Sequence, residues 1–327
     1  MTGITRRGLG AALAGGAVSP NAARAQGAWP NRPIRWVVPY APGGGSDFLA
    51  RTVAAAISGP LGQTVTVDNR PGGATIPATE SVARAAPDGY TILSADLTAL
   101  VINPAMARRL PYDAMRDFRF VAPTARFPFV LVVHPDVPAR TGPELADLAR
   151  RQPGRINFGS PGAGSPSHLA TERFARRMGI EVQNVHYRGG APAVQDLVAG
   201  QVQAMFIDYA TGAAHIAGGR VRAVATPAPQ RLGLLPEVPT LAEQGVTGAD
   251  IYSWQGVVAP AATPDAAVSR LEAEIGRAVR SEEVAARLRS ISLDPFPGTG
   301  AELRALTESE TAIWAPLIRE LGLTLDS

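Results

Sequence analysis

The 327-residue chain contains no cysteine and no lysine. Without cysteine there is no thiol nucleophile, disulfide, thiolate metal site or lipid-modified N-terminal cysteine. Without lysine there is no P-loop phosphate lysine, Schiff base or Ser–Lys dyad, and every basic side chain is an arginine. No stretch after the N-terminal leader is long and apolar enough to span a bilayer, so stable membrane insertion is not expected. Histidines are few and scattered: His134, His168, His186 and His215 lack metal-ligand spacing, and neither a metal nor a cofactor is expected.

The leader "TRRGLGAALAGGAVSPNAARAQ" has two arginines, a Gly/Ala-rich stretch and a small-x-small end at Ala25. This is the layout of a cleavable export signal over residues 1–25, which predicts a soluble periplasmic protein. Arg6-Arg7 after Thr5 points to twin-arginine export, although Gly8-Leu9-Gly10 replaces the usual bulky apolar end of that motif. The leader carries Arg6, Arg7 and Arg24 and no acid, so the 31 basic residues less these three leave 28 against 28 acidic ones. A neutral mature protein offers no electrostatic case for binding nucleic acid or anionic lipid.

What remains reads as alternating short strands and helices, which predicts parallel-rich α/β sheets covered on both faces. Its length is large for one core and comfortable for two lobes. "WVVPYAPGGGSDFLARTVAAAIS", residues 36 to 58, is a strand, a glycine-rich turn and a helix start. "INFGSPGAGSPSHLATERF" repeats the device, with Ser165 suited to the N-cap and Pro166 to the first helical position. Helix N-termini present unpaired N–H groups and partial positive charge. One such turn in each lobe, facing a shared cleft, would clamp a ligand with two negative ends.

Other chemistries fit less well. A dinucleotide site would use "GGGSD" with Asp68 as the ribose acid, but G-x-G-x-x-G requires glycine where Phe48 stands. A hydrolase could draw on Ser160, Ser165, Ser167 and His168, but no G-x-S-x-G elbow is present. An exported α/β enzyme, either a hydrolase or a cofactor-loaded oxidoreductase, is the alternative class. Asp96 and Asp208 follow strands, where open α/β sheets bind ligands, and could be solvated acids or partners of a ligand amino or hydroxyl group. Trp254 suits either the cleft wall or the packing of a hinge.

The segments "PIRWVVPYAPGGGSDFLART", "LGQTVTVDNRPGGATIPA", "APDGYTIL", "NFGSPGAGSPSHLATERF", "VHYRGGAPAVQDLVAGQVQAMF", "LPEVPTLAEQG" and "WQGVVAPAATP" occur in that order. From about Trp29 to the C-terminus the chain resembles the substrate-binding proteins of tripartite tricarboxylate transporters, the Bug-type receptors. The resemblance implies a two-lobed, type II "Venus flytrap" in which each lobe is a mixed sheet flanked by helices, with two crossovers. It also implies a monomeric receptor, not an enzyme, that captures a small carboxylate and hands it transiently to membrane transporter subunits. Expected boundaries are 26–128 plus 260–327 for one lobe and 129–259 for the other, with hinges near Phe127 to Phe129 and Ser253 to Gly256.

In that family the two glycine-rich loops hold a ligand carboxylate through backbone amides, hydroxyls and water. Carried over, these are Pro42, Gly43, Gly44, Gly45, Ser46 and Asp47 in one lobe and Ser160, Gly162, Gly164, Ser165 and His168 in the other. "NRPGG" adds Gly73 and Ala74, and Tyr40, Asp96, Thr98, Tyr187 and Asp208 complete the expected ligand-binding set. The chain departs from the family pattern at two positions. Ile207 intervenes before Asp208, where many members place an acid directly after the phenylalanine, and Asp96 stands in a loop that is often neutral. The ligand's identity, and whether the receptor serves a transporter or a sensor, stay open on these residues.

Overall fold

Ile34, Trp36 and Val38 pack on one face of the first strand and Val37 on the other, and all four are buried. Burial on both faces is what a parallel sheet between helical layers requires. The computed structural model describes residues 29–187, 189–249 and 251–325. The expected export signal, including Arg6-Arg7, lies outside them.

The first sheet is built from β1 (Ile34–Val38), α1 (Gly45–Leu61), β2 (Val65–Asn69), α2 (Ile76–Ala83) and β3 (Thr91–Asp96), with β1 parallel to both β2 and β3. A π-helical turn, Thr98–Ile102, and the short α3 (Asn103–Met106) lead to β4 (Phe118–Val133). The second sheet follows as α4 (Gly142–Arg151), β5 (Asn157–Ser160), α5 (Pro166–Met178), β6 (Gln183–His186), α6 (Gly190–Val198), β7 (Ala204–Asp208), α7 (Tyr209–Ala217) and β8 (Arg222–Ala225). The chain closes with β9 (Tyr252–Pro260), α8 (Asp265–Arg280), α9 (Glu282–Arg289), β10 (Asp294–Pro295) and α10 (Gly300–Glu320).

β4 joins the two halves. Its first part, Phe118 to Pro128, pairs antiparallel with β9, and its last part, Phe129 to Val133, pairs antiparallel with β7. The strand order is β2-β1-β3-β9-β4-β7-β5-β6, with β8 and β10 also on β4. In the second half, Leu131 and Phe206 bury on one face while Val130, Val132, Met205 and Ile207 bury on the other, the period-2 pattern of a doubly covered sheet. The result is a two-lobed α/β fold with mixed sheets flanked by helices.

The second boundary differs from the one expected at residue 260. Leu93 pairs with Val258 and Asp96 with Gln255, so Tyr252 to Pro260 belongs to the first sheet. Ser253 pairs with Phe127 and Tyr252 with Pro128, so the two expected hinge segments lie side by side in antiparallel strands.

Candidate functional site

The first glycine turn is pinned from within. Gly44 is an extended N-cap without a side-chain cap, and the Asp47 carboxylate turns back to accept from Gly43 N at 2.9 Å. Arg51 Nε donates to the same carboxylate at 2.9 Å, while Arg51 Nη2 donates to Asn69 Oδ1 at 2.9 Å. Asn69 Nδ2 in turn donates to Tyr40 O at 3.1 Å. Burial pushes the Asp47 carboxyl up, but the bonds from Arg51 and Gly43 outweigh it and hold the group below its ordinary value. Asp47 thus shapes the loop from the inside and does not line the cleft.

Beside this loop, Tyr40 Oη donates to Asp96 Oδ2, and Asp96 Oδ1 accepts from Ala99 N at 2.9 Å. Burial raises the Asp96 carboxyl, against these hydrogen bonds. Burial and then the Asp96 charge raise the Tyr40 phenol well above its ordinary value. The "RPGG" segment forms an unusual turn in which Gly72, Gly73, Ala74 and Thr75 all have left-handed φ, at 107°, 54°, 49° and 71°. Alanine and threonine pay a steric cost there. Asn103, 1% exposed, holds the turn by donating Nδ2 to Ala74 O at 2.7 Å.

The second glycine turn spends most of its own amides. Ser165 caps α5 as expected, its Oγ accepting from His168 N at 3.3 Å. Pro166 has no N–H. Gly164 N donates to His168 Nδ1 at 3.0 Å, which fixes this buried ring as a staple across the turn. Ser160, fully buried, places Oγ 2.7 Å from His186 Nδ1 and 3.3 Å from Gly162 O. Burial, then the neighbouring His168, lowers His186. The two helix N-termini differ: α1 leaves its first-turn amides without a side-chain cap, whereas α5 is capped by Ser165.

Two adjoining cavities lie between the lobes. The larger, about 420 Å³, is walled by Tyr40, Gly72, Ala74, Thr98 and Asn103 from one side and Gly162 to Pro166 from the other. The smaller, about 200 Å³, is walled by Ser46, Asp96, Phe127, Phe129, Asp208, Ser253, Trp254 and Gln255. Tyr40, Thr98 and Pro166 line both, so the two meet there. Among the described residues no arginine lines either cavity, and the charged side chains on their walls are Asp96 and Asp208. Asp208 also caps α7, accepting from Thr211 N at 3.0 Å.

Of the expected set, Tyr40, Ala74, Asp96, Thr98, Gly162, Gly164, Ser165 and Asp208 converge on these cavities. Pro42, Gly43 and Gly44 are exposed and are not part of the cavity lining. Gly45 backs onto the Phe127 ring. Gly73, Ser160 and His168 sit behind the lining. Tyr187 turns its phenol toward Asp196, and burial, then this acid, pushes it up to about 12. Asn103 and Met106 were not anticipated. A signal for Asn103 exists, since a lone Asn before Pro104 in the apolar run "LVINPAM" is a polar group that must find a buried partner.

Residues 49–323 match the family model described as the tripartite tricarboxylate transporter family receptor. The chain belongs to that family. It is a periplasmic solute-binding receptor, not an enzyme. A Pseudomonas sp. (strain P51) protein from the tcbD-tcbE intergenic region is 41% identical, over 94% of this chain and 92% of its own. BugT of Bordetella pertussis is 33% identical over 91% of each. Among solved structures, an R. palustris protein bound to adipate superposes with a TM-score of 0.80 at 32% identity, covering 90% of this receptor and 99% of its own chain. MatC from Rhodopseudomonas palustris, solved with malate, gives 0.76 at 29%, covering 89% and 100%.

Proposed function

We propose that this receptor captures one small organic acid between its lobes and delivers it to the membrane subunits of a tripartite tricarboxylate-type transporter. The observation that carries this reading is the larger cavity, to which both lobes bring backbone and hydroxyl groups of the Gly72–Ala74 and Gly162–Ser165 turns and Thr98. A carboxylate there is held by the Gly162 and Ala163 amides and the Ser165 hydroxyl, by Thr98 and by the Gly72–Ala74 turn. Each charge-assisted hydrogen bond contributes about 1.5–3 kcal/mol, and micromolar affinity needs about 8 kcal/mol, so three to five such bonds suffice without chemistry. The relatives that carry adipate and malate are consistent with this class of ligand. Both walls come from one chain, so a monomer is competent to bind. The lobes divide within β4 at Phe127–Phe129 and in the segment before Tyr252, and closure about these points dries the cleft.

The test is a thermal-shift and calorimetric panel of C3–C8 carboxylates on the wild type and two glycine variants. Gly162→Leu fills the larger cavity and should weaken binding of the best acid at least about a hundredfold. Gly44→Leu should not, because a Cβ at Gly44 meets nothing closer than Ala41 O at 3.7 Å and the residue is not part of the cavity lining. Equal loss in both variants, or in neither, would refute the placement of the carboxylate. Transport is tested separately, by deleting the receptor gene and measuring uptake of the acid that binds.

A further inference from the structure

The smaller cavity has a chemical bias that a carboxylate does not explain. Gln255 is 1% exposed. Its Nε2 donates to Ser46 Oγ at 3.1 Å, which leaves Oε1 buried with no hydrogen-bond partner on a residue that lines the cavity. Buried polar atoms are nearly always satisfied, so an orphan acceptor on a ligand cavity implies a donor arriving with the ligand. Asp96 and Asp208 line the same wall, and neither has an ion-pair partner among the described residues. Phe127, Phe129 and Trp254 complete the lining, and Trp254 Nε1, a donor, is likewise buried with no hydrogen-bond partner. Apolar walls of this kind exclude water and strengthen whatever charge interaction forms inside.

We infer that the smaller cavity is a subsite for a protonated amine, held by Asp96, Asp208 and Gln255 Oε1, and that the ligand is an ω-amino carboxylic acid. The inference rests on the reading that the carboxylate occupies the larger cavity. The two cavities meet at Tyr40, Thr98 and Pro166, so the ammonium and the carboxylate sit at opposite ends of a short chain, not on one carbon. A plain dicarboxylate would bring its second anion against two acids that no described cation offsets. An ammonium supplies N–H donors and positive charge to three acceptors at once.

Titration calorimetry on the full mature receptor tests this with chain-matched probes: 5-aminopentanoate, pentanoate and glutarate, their four-carbon counterparts, and the α-amino acid norvaline. The amino acid with the terminal amine should bind at least about tenfold tighter than its plain and diacid partners, and tighter than norvaline. In Asp208→Asn and Gln255→Leu that preference should fall to within about twofold. Asparagine is as good an N-cap as aspartate, so α7 keeps its cap, and circular dichroism melts verify both folds. If glutarate or pentanoate binds as tightly as 5-aminopentanoate, or if both variants keep the wild-type ranking, the amine subsite is refuted while the carboxylate receptor stands. If no probe of either kind binds, nor any acid of the C3–C8 panel, the carboxylate reading fails and takes this one with it.

Discussion

Gly164 offers a measurement of lobe closure by a single methyl group. Its φ is +71°, and a Cβ built on it would overlap Met106 Sδ and Cε, which reach it from α3 across the cleft. Gly164→Ala therefore introduces two separable costs. Left-handed backbone costs an alanine about 1–2 kcal/mol, and that strain belongs to the loop whether the lobes are open or closed. The overlap with Met106 exists only while the lobes meet. Met106 is flexible but buried, and relieving such overpacking costs about 1–3 kcal/mol. Charged against the closed state alone, this weakens binding by roughly 5- to 150-fold. Calorimetry on the wild type, Gly164→Ala, Met106→Ala and the double variant isolates the contact. The affinity loss of Gly164→Ala should largely vanish when Met106 is alanine, with a coupling of at least about 1 kcal/mol in binding. Wild-type affinity in Gly164→Ala, or purely additive losses, would show that this contact does not control closure.

Two acids predict opposite pH behaviour. Burial raises the Asp96 carboxyl, so the folded protein holds that proton more tightly than the unfolded chain. Stability is then lost as pH rises from the unfolded value near 4 through the raised folded value. Asp96→Asn should match the wild type near pH 3 and melt at a higher temperature at pH 7; the reverse order would mean that the charged form is favoured. Asp47 is lowered, so its contribution is present above the unfolded value and disappears as pH falls through the folded one. Asp47→Ala should cost about 1–2 kcal/mol in urea unfolding at pH 7, Arg51 being half exposed and its share discounted, with the gap closing in acid.

Local punctuation made much of the fold legible. Pro39, Pro42 and the glycines mark the β1–α1 turn, and Ser165-Pro166 marks the start of α5, because caps and prolines act within a few residues. "FRFVAPTARFPFVLVVHP" is mostly apolar and carries no glycine, as a long strand requires, and β4 tolerates Pro123 and Pro128 through irregular pairing with β9. The insertion of β9 between β3 and β4 was not legible, since its partners lie far away in the chain and "YSWQGVVAPA" looks the same in either sheet. The same limit applies at the site. Asp47 and Asp208 are both acids near glycine or strand ends, yet one is consumed by Gly43 and Arg51 while the other lines the cleft. Which way a carboxylate turns depends on partners that only the assembled lobes supply.

The run of left-handed residues from Gly72 to Thr75 bears on how this receptor meets its solute. A segment already confined to one conformation has little freedom left to surrender when a ligand arrives. Its ordering is settled during folding and guaranteed by Asn103, so capture draws on lobe motion alone. Damage to that guarantee has a particular signature. Asn103→Ala should leave a receptor that recognises the same solutes in the same order, but with every affinity reduced alike, because what fails is the readiness of the surface and not its pattern of groups.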